Sequence, residues 1–229
     1  MHKVFSKLHL IVGTLVIGLL LSGVSSCSLT QEGKEEKAET FDPVTAKKLN
    51  AAYEAIFMEE YDKARGVLDS VDRAKLSPSQ IAQVEQMYIG CDLPQAKYDS
   101  ARTHMKNAME SGGLSEVATA NLKYQLATTY LAQERWKEAI VTLNDFFATT
   151  QKPNAAAHYT LAIAYYKSGD KAKALEFAQK AIDISEQPKA SWLELLLALR
   201  LERHEPEQTI PILRQLIALD TPKKTGASR

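Results

Sequence analysis

Few residues in this 229-residue chain could do chemistry, and none is spaced for catalysis. His104, His158 and His204 stand apart, with no HExxH pair, no cysteine partner and no glycine-rich phosphate loop. Glu35-Glu36 and Glu59-Glu60 are neighbours in sequence. Neighbours on a helix point to different faces, so these read as solvated charges rather than opposed acid and base. No serine lies in a GxSxG context. Cys91 has no CxxC or Cys/His spacing around it and is expected to be a buried, inert thiol. The expectation is a non-enzyme, with no cofactor and no metal site. The one reactive residue in a suggestive context is Cys27.

Met1–His9 carries Lys3 and Lys7 and no acid, and Leu10–Leu21 is an unbroken stretch of apolar and small residues. A run of this length is too short to span about 30 Å of hydrocarbon as a helix and suits a signal-peptide core. Small residues follow, and Val24-Ser25-Ser26-Cys27 resembles a bacterial lipobox. That resemblance implies cleavage after Ser26, leaving 1–26 as a lipoprotein signal peptide and Cys27 as the lipidated first residue. The alternatives are ordinary cleavage near Ser26 and a short uncleaved anchor. One acyl chain binds a membrane marginally and two or more bind stably, at about 0.8 kcal/mol per buried CH₂. Bacterial lipoproteins carry three. Ser28, rather than Asp, follows the cysteine, which in Gram-negative sorting favours the outer membrane, with the chain facing the periplasm. Residues 27–41 are polar and charged apart from Leu29, Ala38 and Phe41, and read as the lipidated cysteine and a flexible tether.

Charge excludes another class. The chain has 28 basic and 28 acidic residues, and losing Lys3 and Lys7 with the signal peptide leaves 26 basic residues. Nucleic-acid binding needs a concentrated basic face, and none is visible.

The elements that must present any site are helical. Leu126-Ala127-x2-Tyr130 is followed by Trp136, Ala139, Leu143 and Phe146; thirty-five residues on, Leu161-Ala162-x2-Tyr165 is followed by Ala174, Ala178 and Ala181. Small residues let two antiparallel helices approach closely, and the aromatics fill the gap to the next pair. One small residue recurs as Ala64, Ala101, Ala139, Ala174 and Thr209. Asp42-Pro43 and Ser77-Pro78 look like capped helix starts, with Ser115 as a further cap. Gly112-Gly113 and Gly169 are helix stops, and Pro94 ends a helix near Asp92. Five helical hairpins are predicted, at 43–75, 78–112, 115–151, 154–187 and 189–220, forming one solenoid over 42–220, with 221–229 a polar tail.

These residues and this period resemble the tetratricopeptide repeat (TPR). The resemblance implies an all-α solenoid with a right-handed superhelical twist, whose first helices line a concave groove for protein partners. Tyr53, Tyr124, Thr128, Tyr159, Ile163 and Tyr166 are the groove candidates, with Tyr159 and Tyr166 expected to be the most exposed. The Lys and Asn set with which chaperone-binding TPRs clamp a terminal carboxylate is missing, so an extended or helical peptide fits better. Ser77-Pro78, Gly112-Gly113-Leu114, Pro153–Ala157 and Trp192-Leu193 are together similar to TPR proteins that accompany TonB energy-transduction systems. That implies a scaffold for envelope proteins; a pilotin or outer-membrane assembly factor, or a regulator of a cell-wall enzyme, remain alternatives. The last helix is apolar nearly all round, and Ile212, Leu216 and Leu219 are candidates for self-association or partner contact.

Overall fold

The computed structural model describes residues 40–220. Ten α-helices and one short 3₁₀ turn, Arg73–Lys75, make up this part, with no strand among the described residues. The helices pair as α1 (Pro43–Phe57) with α2 (Tyr61–Asp69), α3 (Pro78–Asp92) with α4 (Tyr98–Glu110), and α5 (Glu116–Ala132) with α6 (Trp136–Thr149). Then come α7 (Ala155–Ser168) with α8 (Lys171–Asp183) and α9 (Ala190–Glu202) with α10 (Pro206–Asp220). The chain divides into two compact units, between Val117 and Ala118. The sequence alone reads 42–220 as a single solenoid and gives no sign of this division. The signal peptide, Cys27, most of the tether and the 221–229 tail lie outside the described residues.

Local chemistry sets the helix starts. The Asp42 carboxylate accepts from the Val44 and Thr45 amides at 3.0 and 3.1 Å, with Pro43 in the first turn, where a missing N–H costs nothing. Ser77 and Gln80 form a reciprocal capping box ahead of α3. Asn154 accepts from Ala157 N at 2.9 Å and Asp170 from Lys173 N at 3.0 Å. α5 begins directly after Ser115.

The turn inside every hairpin is the same device. Glu59, Ala96, Glu134, Gly169 and His204 all have positive φ, between 54° and 92°. In each case the amide of that residue donates to the carbonyl three back, and the next amide donates to the carbonyl five residues before itself. Examples are Glu134 N to Leu131 O with Arg135 N to Tyr130 O, and His204 N to Leu201 O with Glu205 N to Arg200 O. This is the left-handed helix cap that satisfies carbonyls left open at a helix end. Five residues after each such turn stands the recurring small residue. Ala64, Ala101, Ala139 and Ala174 are fully buried and Thr209 is nearly so, as a close helix crossing requires.

In the first unit the core gathers Leu49, Ala52, Leu68, Val71, Val84, Tyr88 and Cys91. In the second, the best-buried large side chains are Leu143, Leu161, Leu193, Leu196 and Leu199. Each such leucine contributes roughly 1.5–3 kcal/mol of transfer free energy. Cys91 is buried and burial pushes its thiol pKa up, so it stays a protonated, unreactive core residue.

Candidate protein-interaction site

The second unit carries the best-defined candidate surface. Its first helices, α5, α7 and α9, lie side by side through specific contacts. Tyr124 on α5 shares a 2.8 Å hydrogen bond with Thr160 on α7, and its ring meets Phe146 at 5.6 Å. Tyr159 on α7 stacks on Trp192 of α9 at 5.2 Å and donates to the Ser191 carbonyl at 3.1 Å. Burial raises both phenol pKa values, so both hydroxyls remain neutral. These two tyrosines therefore join neighbouring first helices. Tyr159, expected among the most exposed, spends its ring and hydroxyl on that join.

Equivalent positions then line up across the three helices in two rows. One row is Thr128, Ile163 and Ala198, the other Leu131, Tyr166 and Leu201. All are partly exposed except Leu201, which is openly exposed. The Thr128 hydroxyl is turned onto its own helix, donating to Gln125 O at 2.7 Å. The face is mostly aliphatic, with one aromatic ring, and it repeats at the interval of the hairpins. In the first unit Tyr53 is exposed on α1. Cys27 lies outside the described residues.

The fifth hairpin requires a correction. Ile212 is 6% exposed and packs inward, so it is core rather than contact surface. Leu216 is half-buried, and Leu219 is exposed as expected. The outward face instead runs through Ile210, Leu213 and Ile217, three residues and then four residues apart on one side of α10.

Sequence reasoning missed a buried polar cluster in the first unit. Glu85 and Asp92, both on α3, are almost wholly enclosed. Arg73 pairs with Glu85 at 2.7 Å, Arg65 pairs with Asp92, and His104 on α4 places Nδ1 against Glu85. The His104 ring stacks flat on Tyr88 at 4.5 Å, and Tyr88 donates its hydroxyl to Asp69 at 2.6 Å. Arg65, Asp69, Arg73, Tyr88 and His104 border a cleft of about 300 Å³. Burial pushes the Glu85 pKa up, but the contacts with His104 and Arg73 outweigh it and hold the carboxyl below its ordinary value. A register signal was available. Counted from the turn, Asp92 takes the place of Tyr130 and Tyr165, and His104 that of Phe177.

Chemically, the cluster is an ion-pair network with no nucleophile beside a base. His158 is likewise a packing residue, lying 4.7 Å from Phe147, and burial, with Lys180 nearby, lowers its pKa. No group of His, Cys, Asp and Glu among the described residues is arranged to hold a metal ion. No described helix is long and apolar enough to cross a membrane.

Residues 155–188, covering α7 and α8, match the family model of the tetratricopeptide repeat. Solved structures share the fold. MamA, residues 41 to the end, from Desulfovibrio magneticus RS-1 aligns with a TM-score of 0.65 at 16% identity, over 81% of this chain and all of its own. A second MamA structure aligns with a TM-score of 0.63 at 16% identity, over 76% of this chain and 90% of that one. YrrB, described as a TPR protein with an unusual peptide-binding site, aligns at 0.59 and 16% identity, over 76% of this chain and 84% of its own. No curated protein matches. At these identities the likeness concerns the fold, and it agrees with the repeat match and the five identical turns: the chain is an all-α, solenoid-type protein of the tetratricopeptide-repeat superfamily.

Proposed function

We propose that this chain is a non-catalytic scaffold that recruits protein partners within a bacterial envelope machine. Lipid on Cys27 holds it at the outer membrane, facing the periplasm, and the groove binds an extended or helical peptide segment. The observation that carries the binding role is the two-row aliphatic face on α5, α7 and α9, repeated in register and left partly open to solvent. Peptides that dock in helical grooves use apolar anchors one or two turns apart, and a repeated apolar lattice offers matching seats. The peptide-binding site named for YrrB, which shares this fold, agrees with such a use. The assignment to a TonB-linked machine rests on Gly112-Gly113-Leu114, Pro153–Ala157 and the other sequence features given above.

The test is co-purification from detergent-solubilised envelopes with the full chain as bait. Ile163→Glu combined with Tyr166→Ala should remove the specific partners while circular dichroism stays unchanged. If the doubly substituted, folded chain retrieves the same proteins at the same yield, this face is not the binding site.

A further inference from the structure

Among the described residues, nothing covers on the fifth hairpin the surface that hairpins three and four use to receive the next hairpin. Contacts within the second unit define that surface by register. Ten residues after the turn, Asn144 donates to the Tyr165 hydroxyl at 3.4 Å, and the equivalent Gln179 accepts from Arg200 at 3.1 Å. Thirteen residues after the turn, Phe147 packs on His158 at 4.7 Å. Two residues after it, Lys171 pairs with Glu202 at 2.7 Å. Each contact joins a second helix to the first helix of the following hairpin. On α10 the same stripe consists of Pro206, Ile210, Leu213, Arg214 and Ile217. At the position of Leu213, hairpins three and four carry Leu143 and Ala178, at 0% and 1% exposure, whereas Leu213 is 43% exposed. Ile210 and Ile217 are 51% and 63% exposed.

The complementary surface is also present. A first helix meets the preceding hairpin at the positions of His158, Tyr165 and Glu202, which correspond to Lys48, Ala55 and Phe57 on α1. Ala55 is buried in its own unit's core and Lys48 donates to the Ser70 carbonyl, so of the three Phe57 is the one that stands open. No described hairpin precedes α1. Its outer side carries Val44, Ala51 and Met58 at seven-residue intervals, and Phe57, all exposed. Phe57 occupies the place where Glu202 reaches Lys171, so an apolar ring replaces a charge there.

We infer that two copies of this chain associate head to tail, α1 of one copy seating on α10 of the next as a first helix seats on the preceding hairpin. Phe57 of one copy then lies against Pro206 and Ile210 of the other. Because two different surfaces meet, the contact is heterologous, and it can propagate through further copies. The two-row face on α5, α7 and α9 is not consumed by this contact, so the inference stands apart from the partner-binding role.

The experiment is disulfide trapping between two differently tagged full-length copies, oxidised with copper phenanthroline, with the unsubstituted chain as control for Cys27 and Cys91. A copy with Phe57→Cys and a copy with Ile210→Cys should give a mixed-tag adduct. Phe57→Cys with Ile217→Cys should give at least tenfold less, since Ile217 lies two turns away, roughly 10 Å along the helix. Adding Leu213→Glu to the Ile210→Cys copy should abolish the adduct, with circular dichroism confirming that this copy is folded. A dominant adduct between two Ile210→Cys copies would mean a symmetric α10 contact and overturn the head-to-tail arrangement. Equal trapping at Ile210 and Ile217, adduct that survives Leu213→Glu, or no adduct between folded copies would overturn it as well.

Discussion

Glu85 shows how much a single side chain can be asked to hold. It is a carboxylate at 1% exposure, compensated by Arg73 and His104. Burying a charge is costly unless it is paired and hydrogen-bonded, so removing the charge from this site should be felt. Glu85→Gln keeps the shape and is expected to cost roughly 1.5–3 kcal/mol at pH 7, the range for hydrogen bonds to charged groups. The pH dependence has a definite sign. The folded-state pKa lies below the ordinary value of 4.5, so the contribution is fully present above that value and is lost as pH falls through the folded pKa. Urea unfolding of both proteins should show the gap at pH 7 and a narrowing one as the pH falls below 4.5. A gap that widens in acid would mean the carboxylate is not stabilised by its partners. Ala174 tests the opposite kind of constraint. It is fully buried at a helix crossing, so Ala174→Leu should overpack the site and cost roughly 1–3 kcal/mol in thermal unfolding. The two sites differ in how they read from sequence. A size limit that recurs at Ala64, Ala101, Ala139 and Ala174 is visible as a pattern. Asp92, Glu85 and His104 form a network only within the first unit, and a polar residue occurring once looks like a surface residue until its register places it in a core position.

At the scale of elements, the helices were legible because four starts carry a side-chain cap, at Asp42, Ser77, Asn154 and Asp170, and the hairpins keep a period. The turns were only partly legible. Gly169 announces its left-handed conformation, since glycine alone adopts it without cost, but Glu59, Ala96, Glu134 and His204 adopt it with side chains that disfavour it. A left-handed conformation costs such a residue about 1–2 kcal/mol, part of which glycine returns as chain entropy. Glu134→Gly is therefore expected to stabilise the protein by about 0.5–1 kcal/mol, and Gly169→Ala to destabilise it by about 1 kcal/mol. Thermal melts of the two variants should shift in opposite directions. A Glu134→Gly melt below wild type would mean that the Glu134 side chain compensates for its backbone. Gly113 is constrained for a different reason. A Cβ there would overlap the Pro78 carbonyl and the Ser79 amide nitrogen, backbone that cannot yield as a side chain tip can. The pair Gly112-Gly113 reads as a helix stop, and the close approach to the start of α3 is a tertiary fact that no local pattern encodes.

At the scale of the whole molecule, the repeated hairpins define surfaces, and the Cys27 segment is proposed to define where those surfaces stand. None of the ten described helices is long and apolar enough to cross a bilayer. Under the proposed function, membrane attachment depends on the acyl chains at Cys27. Three chains bury enough CH₂ groups, at about 0.8 kcal/mol each, for stable attachment, and removing the thiol removes all of them together. The chain's basic and acidic residues balance at 28 each, so its net charge gives no general attraction to anionic lipid. Cys27→Ser, expressed as the sole copy, should consequently leave the membrane fraction entirely or accumulate as an uncleaved precursor, while the parent chain stays bound through a high-salt wash. The readout is fractionation combined with the mass of the N-terminal peptide, which carries the lipid in the parent and lacks it in the variant. A cleaved Cys27→Ser chain that still sediments with membranes like the parent would show that attachment comes from elsewhere in the molecule, and the lipid anchor would fall.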